Sequence, residues 1–192
     1  NLATLLLKSS NVASSKIALT VEPEGFWNML NKLGFGQATD NGFPGEAHGK
    51  LVSFERWRPI ERATLAFGYG MSTSVLQLAH AYSAIANDGL LHPVSLIKGQ
   101  SPEEAERVMA ASVAAKIRVM LQGVVSKAGT APRAQVQGYT VAGKTGTVKK
   151  FAKGGYSEDK YLGIFAGMVP ANKPELVMVV LIDEPQPRDF YG

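Results

Sequence analysis

The 192-residue chain is 45% hydrophobic and 19% charged, with a net charge of +4 and no cysteine. That is enough apolar material for one domain with a core, and it excludes disulfides and thiol catalysis. Lysines and arginines are scattered, without the dense basic face and interleaved aromatics of a nucleic-acid groove, so no nucleic-acid partner is expected.

Residues 3–19 (ATLLLKSSNVASSKIAL) form an apolar helical run. Small polar residues at 9–11 compete for backbone hydrogen bonds and predict a break there. EPEGFWNMLNKLGFG starts on proline and acids and ends in glycine, which predicts a short helix over about 23–33. Residues 36–60 are rich in Gly, Pro and charge and read as a long surface excursion. Residues 72–89 and 112–129 carry apolar side chains at spacings of three and four and read as two strong helices. His80 lies in the first of these and is expected to pack there; His48 and His92 stand alone, and no His/Asp/Glu spacing suggests a metal. Residues 92–99 (HPVSLIKG) are expected to form a short strand between the two helices. From residue 138 the texture changes to three β-rich runs, GYTVAGKTGTVKKF, YLGIFAGMVP and ELVMVVLIDEP, separated by AKGG and ANKPE turns. This predicts an antiparallel meander. The expected fold class is α+β, helices packed on an antiparallel sheet, with a mainly helical part over 1–130 and the meander over 136–185.

Residues 138–145 also fit the phosphate-loop pattern: glycine, four residues, then Gly-Lys-Thr. A phosphate loop, however, needs a strand before it and a helix after it. Here Lys144-Thr145 is followed by Gly146, the β-branched Thr147 and Val148, and two lysines. The preceding APRAQVQ is too polar for a buried parallel strand, and residues 139–142 read as strand rather than loop. A nucleotide site is therefore not expected.

Lys-Thr-Gly on an extended strand has another use. An edge strand can hold an extended peptide by main-chain pairing. Gly146 leaves room for close approach, Lys144 supplies a cation, and the Thr145 and Thr147 hydroxyls can bind a carboxylate. Ser9 and Asn11, in KSSNV, supply a second motif, Ser-x-Asn.

Ser-x-Asn followed by Lys-Thr-Gly resembles two of the three motifs of the penicillin-recognising serine acyltransferases, the penicillin-binding proteins and serine β-lactamases. KSSNVASSK, FPGEAHGKL, RWRPIERATLAFGYGMSTSVLQLAHAYSAIANDG, GYTVAGKTGT and FAGMVPANKPELVMVVLIDEP extend the resemblance over nearly the whole chain. They resemble a class B penicillin-binding protein, in particular the cell-division D,D-transpeptidase of Gram-negative bacteria. The third motif, Ser-x-x-Lys, carries the nucleophile in that family and precedes Ser-x-Asn. The two such strings here, Ser95/Lys98 and Ser157/Lys160, both follow it. The nucleophile is therefore expected upstream of Asn1, and the chain is expected to be a transpeptidase-domain fragment lacking both flanks and inactive alone.

The resemblance implies cross-linking of peptidoglycan stem peptides ending in D-Ala-D-Ala, by an acyl-serine mechanism. It makes Ser9, Asn11 and Lys144 the catalytic residues present, and Thr145, Gly146, Thr147 and Tyr69 the substrate-binding ones. Phe67 and Phe151 are further cleft candidates, Phe67 being expected chiefly to pack in the core. No cofactor is implied. The implied partners are the stem peptide, β-lactams and division-complex membrane proteins, at the periplasmic face of the inner membrane, through an anchor outside this chain. A serine β-lactamase or D,D-carboxypeptidase, and a non-catalytic division-complex binding protein, remain the alternatives.

Overall fold

The computed structural model describes residues 1–98, 104–152 and 155–185. Helix α1 (Leu2–Lys8) is capped by the Asn1 side chain, which accepts from the Thr4 N–H at 2.9 Å. Ser9 ends it in the left-handed region, with φ 51° and ψ 49°, and donates its N–H to the Leu6 carbonyl. Ser10 then caps α2 (Asn11–Thr20) by accepting from the Ala13 N–H. The expected break thus falls at two adjacent serines with opposite duties, one closing a helix and one opening the next.

Helix α3 (Pro23–Lys32) follows, started by its proline. Residues 36–60 are less irregular than expected. They contain strand β1 (Lys50–Leu51), a 3₁₀ turn (Phe54–Arg56) and the start of helix α4 (Pro59–Leu65), and β1 pairs antiparallel with β2 (Met71–Ser72). Gln77 holds this excursion down. It is 1% exposed, and its Nε2 donates to the carbonyls of Gln37 (2.6 Å) and His48 (2.8 Å), while its Oε1 accepts from the Ser74 N–H. Gly49, beside it at φ 63°, could carry no Cβ, which would sit 2.3 Å from the Ser72 carbonyl oxygen.

Helix α5 (Val75–Ala86) starts in the capping box formed by Ser74 and Gln77. His80 is half-buried on it, with Nε2 2.7 Å from the His92 carbonyl oxygen. The strand expected over 92–99 is not there: strand β3 (Leu90–Leu91) precedes it and pairs with β4 (Glu106–Arg107). Pro93 has no N–H to give a ladder, and Ser95 Oγ bonds locally to the Ile97 N–H and carbonyl instead; residue 99 lies outside the described residues. Helix α6 (Ala111–Val125) stops four residues before Gly129, because Ser126 turns its backbone to an extended ψ of 167°.

The meander comprises β5 (Ala142–Ala152), β6 (Gly155–Val169) and β7 (Leu176–Asp183), in sheet order β5-β6-β7. It begins later than expected, since Gly138 at φ 83° and the Val136–Tyr139 bridge make a separate turn first. β6 is longer than residues 161–170, and the expected AKGG turn includes Lys153 and Gly154, outside the described residues. The core lies between the helices and one face of this sheet. Leu121, Val124 and Val125 of α6 pack on Ala142, Met168 and Ala171, with Tyr82, Ile85 and Ala86 of α5 against them. Burial pushes the Tyr82 phenol up to about 12. On the other face of β7, Leu176, Met178, Val180 and Ile182 are all exposed. The α+β layering is as expected.

Candidate active site

Strand β5 lies at the sheet edge, pairing only with β6 among the described residues. Its register sets Lys144 opposite Ala166, Thr145 opposite Phe165, Gly146 opposite Ile164 and Thr147 opposite Gly163. Successive side chains alternate between faces, so Lys144 and Gly146 share one face and Thr145 and Thr147 the other. The Lys144 ammonium donates to the Thr145 carbonyl at 3.0 Å, a carbonyl on the unpaired side of the strand. Residue 147, two further on, presents its N–H and C=O to that same free edge. The strand therefore offers main-chain pairing to an extended ligand.

The α1–α2 break lies against this edge. Lys144 Nζ donates to Ser9 Oγ at 2.8 Å, across 135 residues of sequence. The left-handed conformation at Ser9 turns its side chain out of both helices. Lys8, the residue before, donates to the Ala128 carbonyl at 3.1 Å and ties α1 to the segment after α6. From that segment Thr130 Oγ1 reaches Thr145 Oγ1 at 2.9 Å. Three chain segments are thus pinned at one place by three polar contacts.

Burial lowers the Lys144 ammonium below its ordinary value of 10.5. Among the described residues no carboxylate is paired with it to offset that. A desolvated lysine touching a serine hydroxyl can support proton movement at that oxygen.

The two strand glycines differ. A Cβ on buried Gly143 would sit 2.5 Å from Phe165 Cζ and 2.8 Å from the Ala166 carbonyl oxygen, so packing alone demands glycine there. A Cβ on Gly146 would meet only Ile164 Cβ, at 3.7 Å. Among the described residues nothing needs residue 146 to be glycine, which leaves that space open to a ligand.

Asn11 is exposed on the first turn of α2, two residues from Ser9. Tyr69 lies further along β5: its hydroxyl accepts from the Lys149 N–H at 3.4 Å, and its ring meets Tyr156 edge-on at 5.0 Å. Phe151, 78% exposed, meets Tyr156 edge-on, and Phe67 meets Tyr69 edge-on at 5.7 Å, half-buried and outside the core cluster expected for it. Thr130 and Tyr156 escaped the sequence reading; each is tied to the site only by contacts across the fold, with no periodicity or motif to mark it. Ser95 Oγ is occupied by Ile97, and Ser157 Oγ by Asp159 at 2.6 Å. Neither opens a helix, and among the described residues neither touches a lysine ammonium. Lys144-Thr145 lies within a continuous strand, which rules out a phosphate loop with its following helix. Cavities of about 300 and 320 Å³ open elsewhere, on α1–α3 and beside residues 135–141, away from the Ser9–Lys144 contact.

A family model described as the penicillin binding protein transpeptidase domain matches residues 1–192. The probable peptidoglycan D,D-transpeptidase PenA of Neisseria meningitidis serogroup A is 40% identical over 188 residues, which cover 98% of this chain and 32% of that protein. The peptidoglycan D,D-transpeptidase FtsI of Escherichia coli K12 is 38% identical over 191 residues, 100% of this chain and 32% of that one. The chain thus spans about a third of the length of the curated relatives it matches. The apo transpeptidase domain of Burkholderia pseudomallei penicillin-binding protein 3 superposes with a TM-score of 0.90 at 46% identity, covering 95% of this chain and 56% of that one. Penicillin-binding protein 3 of Mycobacterium tuberculosis, solved with ampicillin, gives 0.90 at 36% identity, covering 95% of this chain and 44% of that one.

Proposed function

This chain belongs to the penicillin-binding-protein transpeptidase-domain family, and from that membership we propose that it forms part of a peptidoglycan D,D-transpeptidase working in septal cell-wall synthesis. The observation that carries the proposal is the 2.8 Å contact between Lys144 Nζ and Ser9 Oγ beside a free strand edge. In this reading the acylating serine lies in a Ser-x-x-Lys motif upstream of Ser9, outside residues 1–192; the local hydrogen bonds of Ser95 to Ile97 and of Ser157 to Asp159 support that reading. The exposed apolar face of β7 supports further chain packing there, because soluble proteins rarely leave such a patch bare.

In this proposal the serine hydroxyl attacks the penultimate D-alanine carbonyl of a stem peptide. An ester forms and the peptide C–N bond breaks. Ser9 passes the proton to the departing D-alanine nitrogen, with Lys144 as its electrostatic support. An amine of a neighbouring stem then attacks the ester, an amide forms, and the serine regains a proton. Asn11 hydrogen-bonds a substrate amide. Thr145 and Thr147 hold the terminal carboxylate, and the Thr147 N–H at the free edge supplies one donor of the oxyanion hole. Gly146 admits the substrate backbone, and Tyr69 flanks it. A β-lactam, with its carboxylate and strained amide, enters the same way. The ampicillin and aztreonam complexes of the mycobacterial neighbour support that ligand class. Division-complex membrane proteins are the proposed partners, and the periplasmic face of the inner membrane the proposed site of action.

The test is D-alanine release from a pentapeptide stem by the full-length protein, with and without an amine acceptor. The proposal expects release coupled to a new amide and lost in both Ser9→Ala and Lys144→Ala. Release with hydrolysis alone, even with acceptor present, would indicate a carboxypeptidase instead.

A further inference from the structure

Thr130 lies in a segment with no catalytic motif, yet its hydroxyl is 2.9 Å from that of Thr145. We propose that Thr130 is a positioning residue for the carboxylate end of the substrate, acting through the Thr145 hydroxyl; this rests on the transpeptidase reading above.

Thr145 is β-branched and sits on a paired strand, so the position of its Oγ1 is set by its backbone and a stiff χ1. The direction of its proton is not. A threonine hydroxyl has one proton and two acceptor lone pairs. If Thr145 donates to Thr130, it presents only lone pairs to an arriving carboxylate, which repels it. If Thr130 donates to Thr145, the Thr145 proton is free to point at the anion, and the donated bond polarises it. An anion at the free edge therefore selects the second arrangement. The pair works as a two-member relay of hydroxyl dipoles that ends on the ligand.

The surroundings fit a built contact. Residue 128, two before Thr130, is tied to α1 by the Lys8 ammonium at 3.1 Å. The same α1 ends in Ser9, on Lys144. The segment bearing Thr130 is thus held to the same frame as the Ser9–Lys144 pair. Thr130 itself is exposed and outside the core cluster, so its hydroxyl is not needed to satisfy the interior.

The test uses the full-length protein, a thioester substrate bearing a free carboxylate, and the methyl ester of that substrate. Thr130→Val keeps the shape and removes the hydroxyl; Thr130→Ser keeps the hydroxyl. The expected result is a roughly 3- to 10-fold fall in acylation rate over affinity for Thr130→Val with the free carboxylate, the scale of one hydrogen bond. The methyl ester should show no such fall, Thr130→Ser should recover to within about twofold, and the melting temperature should not move. Equal losses on both substrates, or wild-type rates for Thr130→Val, would overturn the role of Thr130 while leaving the transpeptidase reading standing. Failure of the unaltered protein to be acylated at all would overturn both.

Discussion

Substituting alanine at Gly143 and at Gly146 should have opposite consequences, although the two residues are three apart on one strand. At Gly143 the new methyl would approach the Phe165 ring end at 2.5 Å and the Ala166 carbonyl oxygen at 2.8 Å. The ring could turn, but the carbonyl belongs to the paired β6 backbone and cannot move without disturbing the ladder. Overpacking of this kind costs about 1–3 kcal/mol. At Gly146 the new methyl would find only Ile164 Cβ at 3.7 Å, an ordinary contact. Stability there should change by about 0.5 kcal/mol either way. The Gly146→Ala methyl would instead occupy the space proposed for the substrate, and displacement of about 1 Å at a reacting centre costs on the order of 10²-fold in rate. Urea unfolding and acylation by a fluorescent penicillin, run on both variants of the full-length protein, separate the two effects. Gly143→Ala should lower the urea midpoint, and Gly146→Ala should keep it while losing acylation. Wild-type acylation in a folded Gly146→Ala variant would refute the assignment of that space to substrate.

Gln77→Ala leaves the Gln37 and His48 carbonyls without their donor and should cost about 1–3 kcal/mol or more, measured by urea unfolding. Arg118 is buried and donates to the Ile85 carbonyl at 2.7 Å as well as to Asp88, which is largely exposed. Arg118→Met should therefore destabilise by about 1–3 kcal/mol, and Asp88→Asn by less than about 1 kcal/mol, in the same assay. Because burial holds Lys144 below 10.5, its cation is lost, as pH rises, earlier than in an ordinary lysine. The alkaline limb of acylation should accordingly fall below pH 10.5, and Lys144→Arg, if it acylates at all, should move that limb upward; an unmoved limb would assign it to another group.

The sequence carried the parts of this fold that local chemistry decides. Small polar residues at 9–11 announced a helix break, and the three- and four-residue apolar spacing over 72–89 and the β-branched run after Thr145 announced a helix and a strand. The Ser9–Lys144 pairing was legible only because two motifs resembled a known family, since nothing local joins residues so far apart. What stayed hidden depends on tertiary partners. Gln77 reads as an ordinary polar helix residue until the excursion folds over it. Thr130 reads as part of a turn until β5 arrives beside it. The strand expected over residues 92–99 failed because Pro93 and the local Ser95 turn outweighed its apolar character, and two-residue strands such as β3 leave no periodicity to detect.

The most direct measurement is to expose the full-length protein to benzylpenicillin and map the adduct by peptide mass spectrometry, alongside Lys144→Ala. The account predicts one penicilloyl serine, outside residues 1–192, and its disappearance in the variant. An adduct on Ser95 or Ser157, or one unaffected by loss of Lys144, would contradict it.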